Sequence, residues 1–320
     1  MRSQPNGTSS SSAVVLGIDF GGTKIATAVC DLSGRRLATR VIDAEPDRGA
    51  RAAFDRGVGA ARNLLAEAAI DRPLAGVGVS TFGIPSEDGV ALAPAIDGWE
   101  DLAMGRDLRA AFAGTPVTMA TDVKAAALAE ARWGALAGVD PGVYLNLGTG
   151  LAAAIVAGGR VLAGANGAAG EIGYNLRRLS DVGYAGYVPL EEAVSGRALT
   201  RLAGRPAAEA FAADSGNPLA AVADQFITEL AFHVVNLAIC IDPVRIAVGG
   251  GMTRSWDRIR PQLDAALDSA APYRPELVLA DFPFDAPLMG ALALAVDAIE
   301  AAQADDGVTH NMHTREGLTL

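Results

Sequence analysis

Short apolar runs closed by glycine or polar turns alternate along this chain with longer stretches of helical spacing, and each change of period marks an element. The first run, residues 13–18, enters Gly17-Ile18-Asp19-Phe20-Gly21-Gly22-Thr23-Lys24. The chain then returns as a second predicted strand, 25–31, which turns at Leu32-Ser33-Gly34. A third strand is predicted over 37–42. From about 50 to 69 the period changes, with Phe54, Val58, Ala61, Leu64 and Leu65 at helical intervals. A buried strand (76–81) follows, then a loop rich in Gly, Pro and Asp that reaches Trp99. A helix around 102–112 and a short strand (116–120) that stops at Thr121-Asp122 complete the course. The order β-β-β-α-β-α-β predicts a mixed α/β domain.

A second, similar course begins after a small-residue helix at 125–133. A strand (142–147) enters Gly148-Thr149-Gly150, a second strand (151–156) turns at Ala157-Gly158-Gly159, and a third covers 160–163. A helix from about 220 to 238 leads to a strand (245–248), to Gly249-Gly250-Gly251 and to a helix from Ser255 onward. Strand, glycine-hydroxyl-glycine turn and strand thus occur twice, half a chain apart. The repetition predicts two related domains facing each other across a nucleotide.

Composition narrows the class. The 320 residues are 50% hydrophobic, enough for substantial cores in one large or two ordinary domains. A net charge of −11 and a pI near 4.8 argue against nucleic-acid and anionic-membrane partners. No apolar run is expected to span a membrane, so a soluble cytoplasmic protein is the expectation. Cys30 and Cys240 lie far apart inside apolar segments and read as buried free thiols. His233 reads as a core or interface histidine, and Trp99, Trp133 and Trp256 as packing residues. Residues 1–12 and 304–320 are polar and aperiodic, and disorder is expected at both ends.

The loop after the first strand has the residue types a polyphosphate needs. Glycines admit backbone N–H groups to phosphate oxygens, Thr23 and Lys24 add donors, and Asp19 at a strand end can meet hydrated Mg²⁺. It is neither a Walker A sequence nor GxGxxG before a helix, since a strand follows. The same glycines would also suit a hairpin turn with no ligand. Three glycines at 249–251 before a helix start leave room for a flat ligand such as adenosine.

Taken together, DFGGTK at 19–24, GWED at 98–101, TDVKAAALAE at 121–130, LGTG at 147–150, GANGAAGEIGY at 164–174 and GGG at 249–251 resemble one family. The chain is similar, from about 15 to 295, to the repressor, open-reading-frame and kinase group of sugar kinases, within the actin-like ATPase superfamily, and specifically to glucokinase-like members. The resemblance implies a two-domain actin-like ATPase (ribonuclease H-like) α/β fold with the active site in an interdomain cleft. The first domain would cover 13–121 and be joined by the last helix, about 288–303; the second would cover 122–287.

It also implies roles. Asp122 would be the general base toward a sugar hydroxyl, a role that phosphoryl transfer requires of some acceptor beside the nucleophile; an N-cap of the following helix is the plain alternative. Asp19, Gly21, Gly22, Thr23 and Lys24, with Gly148, Thr149 and Gly150, would face the phosphates of ATP, whose Mg²⁺ Asp19 would meet indirectly. Gly249, Gly250 and Gly251 would take the nucleoside. Gly83, Thr121, Glu171, Tyr174 and Glu191 would line the acceptor site beside Asp122. A homodimer is implied as the assembly.

The departures from the family pattern concern the acceptor side. Its zinc site is a histidine after Gly-Glu-x-Gly and three clustered cysteines; Tyr174 replaces the histidine, and 181–190 contains no cysteine. Structural zinc is therefore not expected. Three tyrosines, Tyr174, Tyr184 and Tyr187, would pack that loop or serve as ordinary turn and surface residues. Ala95 and Thr121 stand where the family has sugar-binding asparagines. An ATP-dependent kinase acting on the 6-hydroxyl of a glucose-like hexose is the expected function. Retention of two carboxylates with loss of neutral donors points to an amino sugar such as 3-amino-3-deoxyglucose (kanosamine), as in family members of antibiotic biosynthesis. An ordinary glucokinase and a C7-cyclitol kinase are the alternatives, an inactive sugar sensor a lesser one. A repressor would need a DNA-binding module, for which 1–12 offers no room.

Overall fold

The computed structural model of the chain describes residues 13–69 and 71–316, the stretch from 303 onward by its backbone alone. The expectations for 1–12, for 317–320 and for the side chains of His310 and His313 lie outside the described residues. Two compact units are present: one runs up to Ala125 and resumes at Pro287, the other spans Ala126–Ala286.

The first unit contains strands β1 (Val14–Phe20), β2 (Lys24–Asp31) and β3 (Arg36–Asp43), helix α1 (Ala50–Ala68) and strand β4 (Leu74–Thr81). A two-stranded ribbon, β5 (Ile84–Pro85) with β6 (Val90–Ala91), then precedes α2 (Met104–Ala111) and β7 (Val117–Thr121), and α3 (Asp122–Trp133) begins in this unit and continues in the second from Ala126. The sheet order is β3-β2-β1-β4-β7; β2 is antiparallel to both its neighbours, whereas β1, β4 and β7 are parallel. β1 is buried almost throughout, as a central strand covered on both faces must be, while the edge strand β3 is mostly half-exposed. α1 covers one face with Phe54, Val58, Ala61 and Leu64 of the periodic set read from the sequence, its fifth member, Leu65, being only partly buried.

The second unit repeats this plan. β8 (Gly142–Leu147), β9 (Leu151–Ala157) and β10 (Arg160–Val161) are followed by α4 (Gly196–Ala203), α5 (Ala207–Ala212) and α6 (Pro218–Ile241). β11 (Arg245–Gly249), α7 (Trp256–Ala270) and β12 (Glu276–Leu279) complete it. The order β10-β9-β8-β11-β12, with its second strand antiparallel and the last three parallel, matches the first sheet strand for strand. The predicted internal duplication is thus a duplication of topology. β12, α4 and α5 escaped prediction because each is short. β10 covers half the predicted strand.

The last helix, α8 (Ala286–Glu316), returns to the first unit. A Cβ on Gly78 would collide with the Ala291 carbonyl, and one on Gly17 would lie 2.9 Å from Leu292 Cγ, so these strand glycines exist to let a helix backbone approach the sheet. α8 also corrects the expected tail: the backbone is helical to Glu316, extending a helix already nucleated where it packs on the first sheet. Two further expectations are corrected on α6. By length and composition it is apolar enough to cross a membrane, but 44% of its apolar window is buried, with Phe226, Leu230 and Val234 in the core of the second unit. Cys240 lies on its outer side and is exposed, unlike Cys30. His233 and Trp99 are buried, as read, and Trp256 belongs to the second core.

Glu130, on α3, is a fully buried carboxylate that the sequence did not single out. It accepts the N–H groups of Ala135 at 2.7 Å, Asp281 at 3.1 Å and Phe282 at 2.8 Å. Burial raises its pKa, and the three backbone donors oppose that rise. Glu130→Ala would strand all three donors and is expected to cost at least about 3 kcal/mol, read as a fall in urea midpoint; an unchanged midpoint would refute the clamp.

Candidate active site

In the first unit the C-terminal ends of β1, β4 and β7 lie side by side. Asp19 is in register with Ser80, Ser80 with Ala120, and Thr81 with Thr121. Parallel strands end at one edge, where open α/β sheets gather their ligands. Ser80 Oγ donates to Asp19 Oδ1 at 2.6 Å. Burial pushes the Asp19 carboxyl up from 3.8 to about 6, and the serine bond offsets only part of that rise.

The hairpin beside it divides the two readings of its glycines. Gly21 N–H donates to the Lys24 carbonyl at 3.0 Å, and a Cβ on Gly21 would lie 2.8 Å from that oxygen, so the turn itself demands glycine there. A Cβ on Gly22 would meet only Ala95 Cβ, at 3.4 Å; the turn leaves that position open. Thr23 and Lys24 are exposed next to it.

Thr121 Oγ1 accepts the Lys124 N–H at 3.2 Å, the bond of an N-cap, and Asp122 is the first helical residue, its Oδ1 accepting the Val123 N–H at 2.8 Å. Capping α3 therefore falls to Thr121, the residue expected to touch the acceptor. Gly83 also has work within the fold: its φ is +77°, and a Cβ there would lie 2.5 Å from that of Ala93. Behind this edge the Trp99 indole donates to Thr81 Oγ1 at 3.1 Å and stacks on Phe82 at 4.8 Å.

In the second unit the turn Gly148-Thr149-Gly150 is braced by the start of α4. Gly196 and Arg197 donate their N–H groups to the carbonyls of Gly148 and Thr149 at 2.9 and 3.2 Å. Glu191 closes on the same turn. Its Oε2 accepts the Leu151 N–H at 2.9 Å, a Cβ on Gly150 would lie 2.5 Å from that oxygen, and Arg197 donates to its Oε1 at 3.0 Å. Arg197, which sequence reading missed, thus occupies a charge expected to await the acceptor. Glu171 heads one 3-10 turn (Ile172–Tyr174), Glu191 sits in another (Leu190–Glu192), and Leu190 N–H joins them through the Asn175 carbonyl at 3.1 Å.

Gly249 lies in register with Asn146 of β8, so the triple glycine ends beside that turn. Two of the three are needed by the protein's own packing: a side chain on Gly249 would meet the Tyr144 ring, and one on Gly250 (φ +93°) would lie 2.5 Å from the Leu147 carbonyl. Around Gly251 only Arg254 comes near, at 3.6 Å.

Comparison with known proteins gives this geometry a family. The ROK family model matches residues 15–298. The chain belongs to the ROK family. It is 33% identical over 296 residues to the bifunctional enzyme NanE/NanK of Brucella melitensis, an alignment covering 89% of this chain and 54% of that protein. The chain spans about half the length of that relative and of its Brucella suis counterpart. Among solved structures, the ROK hexokinase of Thermus thermophilus is similar at 30% identity, covering 90% of this chain and 99% of that one, with a TM-score of 0.75. The ROK family glucokinase of Streptomyces griseus, solved with glucose and AMPPNP, is similar at 29% identity over 88% and 99% of the two chains, with a TM-score of 0.71. The fold is that of the actin-like ATPases.

A ROK zinc centre does not fit these residues. Tyr174 offers no imidazole and is 47% exposed, and among the described residues no group of three or more His, Cys, Asp or Glu side chains is placed to hold a metal ion. Of the three tyrosines, Tyr184 is a surface residue, 63% exposed, whereas the half-buried Tyr187 links the loop by donating its hydroxyl to the Tyr174 carbonyl at 3.3 Å.

Because the folded state holds the Asp19 proton more tightly than an unfolded chain, the stability this contributes is full below pH about 4 and is lost as pH rises through about 6. Asp19→Asn keeps an acceptor for Ser80 and removes the desolvated charge. It is expected to stabilise the protein at pH 7.5 by up to about 3 kcal/mol and not at pH 4. Thermal melts across that range check this; no gain at neutral pH would contradict it.

Proposed function

We propose that this ROK protein transfers the γ-phosphoryl group of ATP to the primary 6-hydroxyl of a glucose-like hexose, with Asp122 as general base. The observation that carries the reading is the shared edge of one sheet: Asp19 lies next to the end of β1, the open Gly22 position follows that strand, and Asp122 follows the end of β7, with the parallel β4 between the two strands. Phosphoryl transfer asks the protein for positioning and charge, and those three supply a carboxylate toward the cation, a backbone that phosphate oxygens can approach, and a proton acceptor. The capping bond to the third N–H of α3 comes from Thr121, so that bond does not require an aspartate at 122.

Mg²⁺ fits the donor set at this edge: Asp19 is a strand-end carboxylate already polarised by Ser80, and the cation would come with the nucleotide and lower the charge density of its phosphates. Asp19 would hold it through water, and Thr23 and Lys24 would meet phosphate oxygens; Gly148, Thr149 and Gly150 would offer phosphate oxygens a turn of the same kind in the second unit. Gly251 is the best-suited of the three glycines for the nucleoside.

For the acceptor, the pairing of Glu191 with Arg197 shifts the choice. A carboxylate already matched by a guanidinium and a backbone N–H gains less from a cationic ring, so a neutral hexose is favoured over an amino sugar. Glu171 and Tyr174 would hold ring hydroxyls. Cytoplasmic location and a homodimer complete the reading, the exposed Phe232 and Ile239 of α6 being the apolar surface available for self-association.

ADP release measured over a panel of hexoses, amino sugars and cyclitols is expected to give the highest kcat/KM with a neutral hexose; preference for an amino sugar would overturn the acceptor assignment. Asp122→Asn is expected to lower kcat by about 10²-fold or more with little change in ATP affinity, and near-normal turnover would refute the base. Gly22→Val should abolish ATP binding in calorimetry while leaving the melting temperature near that of the parent, because nothing but Ala95 adjoins the added atoms.

A further inference from the structure

The segment from Tyr174 to Pro189 is held in place by remarkably little apolar burial. Leu176 is 43% exposed, Leu179 94%, Val182 69% and Val188 49%, so the hydrophobic effect does not fix its path. Yet this segment joins the two 3-10 turns that carry Glu171, Tyr174 and Glu191. Polar links must therefore supply the order.

Two of them reach the same helix. Arg177 forms a two-pronged ion pair with Glu229 of α6, Nε to Oε1 and a terminal nitrogen to Oε2 at 3.0 Å, both side chains being mostly buried. Asn175 Nδ2 lies 3.4 Å from His233 Nδ1, and burial holds that imidazole below its usual pKa. The spacing is matched: residues two apart on an extended segment point the same way about 7 Å apart, and residues four apart on a helix stack one turn, about 6 Å, above each other. Asp181 closes the clamp from within the segment by accepting the N–H groups of Arg177 and Arg178 at 3.3 and 3.0 Å.

We propose that the Arg177–Glu229 pair, seconded by Asn175–His233, is a metal-free clamp that orders the 174–189 segment in the place where a ROK zinc centre cannot be assembled, and that both pairs act as positioning residues for Glu171 and Tyr174. The second half of this rests on the acceptor reading given above; the first half does not.

Amide hydrogen exchange of the full chain separates the two. In Glu229→Gln and Arg177→Met, exchange over 172–189 is expected to rise at least tenfold while the strands of the second unit keep their protection, and the charge-exchanged double variant Arg177→Glu/Glu229→Arg is expected to recover part of it. Unchanged exchange in the single variants would overturn the clamp, as would a uniform rise across the second unit, which denotes loss of stability alone. So would stoichiometric zinc by elemental analysis together with a rise in exchange of the same segment in chelator. In steady-state kinetics the single variants are expected to raise the acceptor KM about tenfold with the ATP KM unchanged. Lost protection with an unchanged acceptor KM would leave the clamp standing and remove Glu171 and Tyr174 from the acceptor site.

Discussion

Parallel pairing of β1 with β4, and of β8 with β11, is the constraint on which the candidate site depends. Antiparallel neighbours can be joined by a tight hairpin, and both units use one to carry a glycine-containing turn. Parallel neighbours require a crossover, which sends the chain over the sheet and delivers the next functional residue to the same edge as the last. Asp19 and Ser80 meet in this way, and the end of β7 at Thr121 comes to the same edge, although long stretches of chain separate them. In the second unit the same rule brings Gly148–Gly150 beside Gly249–Gly251.

Two carboxylates in this protein are kept where burial disfavours their charge, with opposite consequences. Glu130 is surrounded by three backbone donors and acts as a structural acceptor at the turn after α3. Asp19 has a single serine donor and keeps a pKa of about 6, an under-compensated charge at the end of a strand. Under-compensation is costly for folding and useful for holding a cation, and its place beside an open glycine position is the pattern expected of a functional group rather than a structural one.

Around the 3-10 turns that carry Glu171 and Glu191 the fastenings are ionic and backbone hydrogen bonds. Among the described residues no group is placed to hold a metal ion, and Arg177 of the 174–189 segment pairs with Glu229 of α6. A second arginine, Arg197, sits on Glu191 and braces the Gly148–Gly150 turn through its own backbone. The Arg177 guanidinium meets Glu229 through two nitrogens, a directional contact that fixes geometry in a way that the exposed apolar side chains of its segment do not.

The sequence by itself determined the order of elements, the duplicated plan and the family, because hydrophobic period, glycine turns and several motifs in fixed order are local signals. It also identified the residues of the strand edge, since an aspartate that ends an apolar run is visible without coordinates. Which role each residue has was not legible. Gly21 serves the turn and Gly22 leaves space, Thr121 rather than Asp122 caps α3, and two of the three glycines at 249–251 make room for Tyr144 and Leu147; each follows from a neighbour distant in sequence or from backbone geometry. Glu130, Arg177 and Arg197 escaped notice for the same reason: a charged residue in a sequence looks alike whether it faces water or a buried partner, and only the tertiary structure decides which.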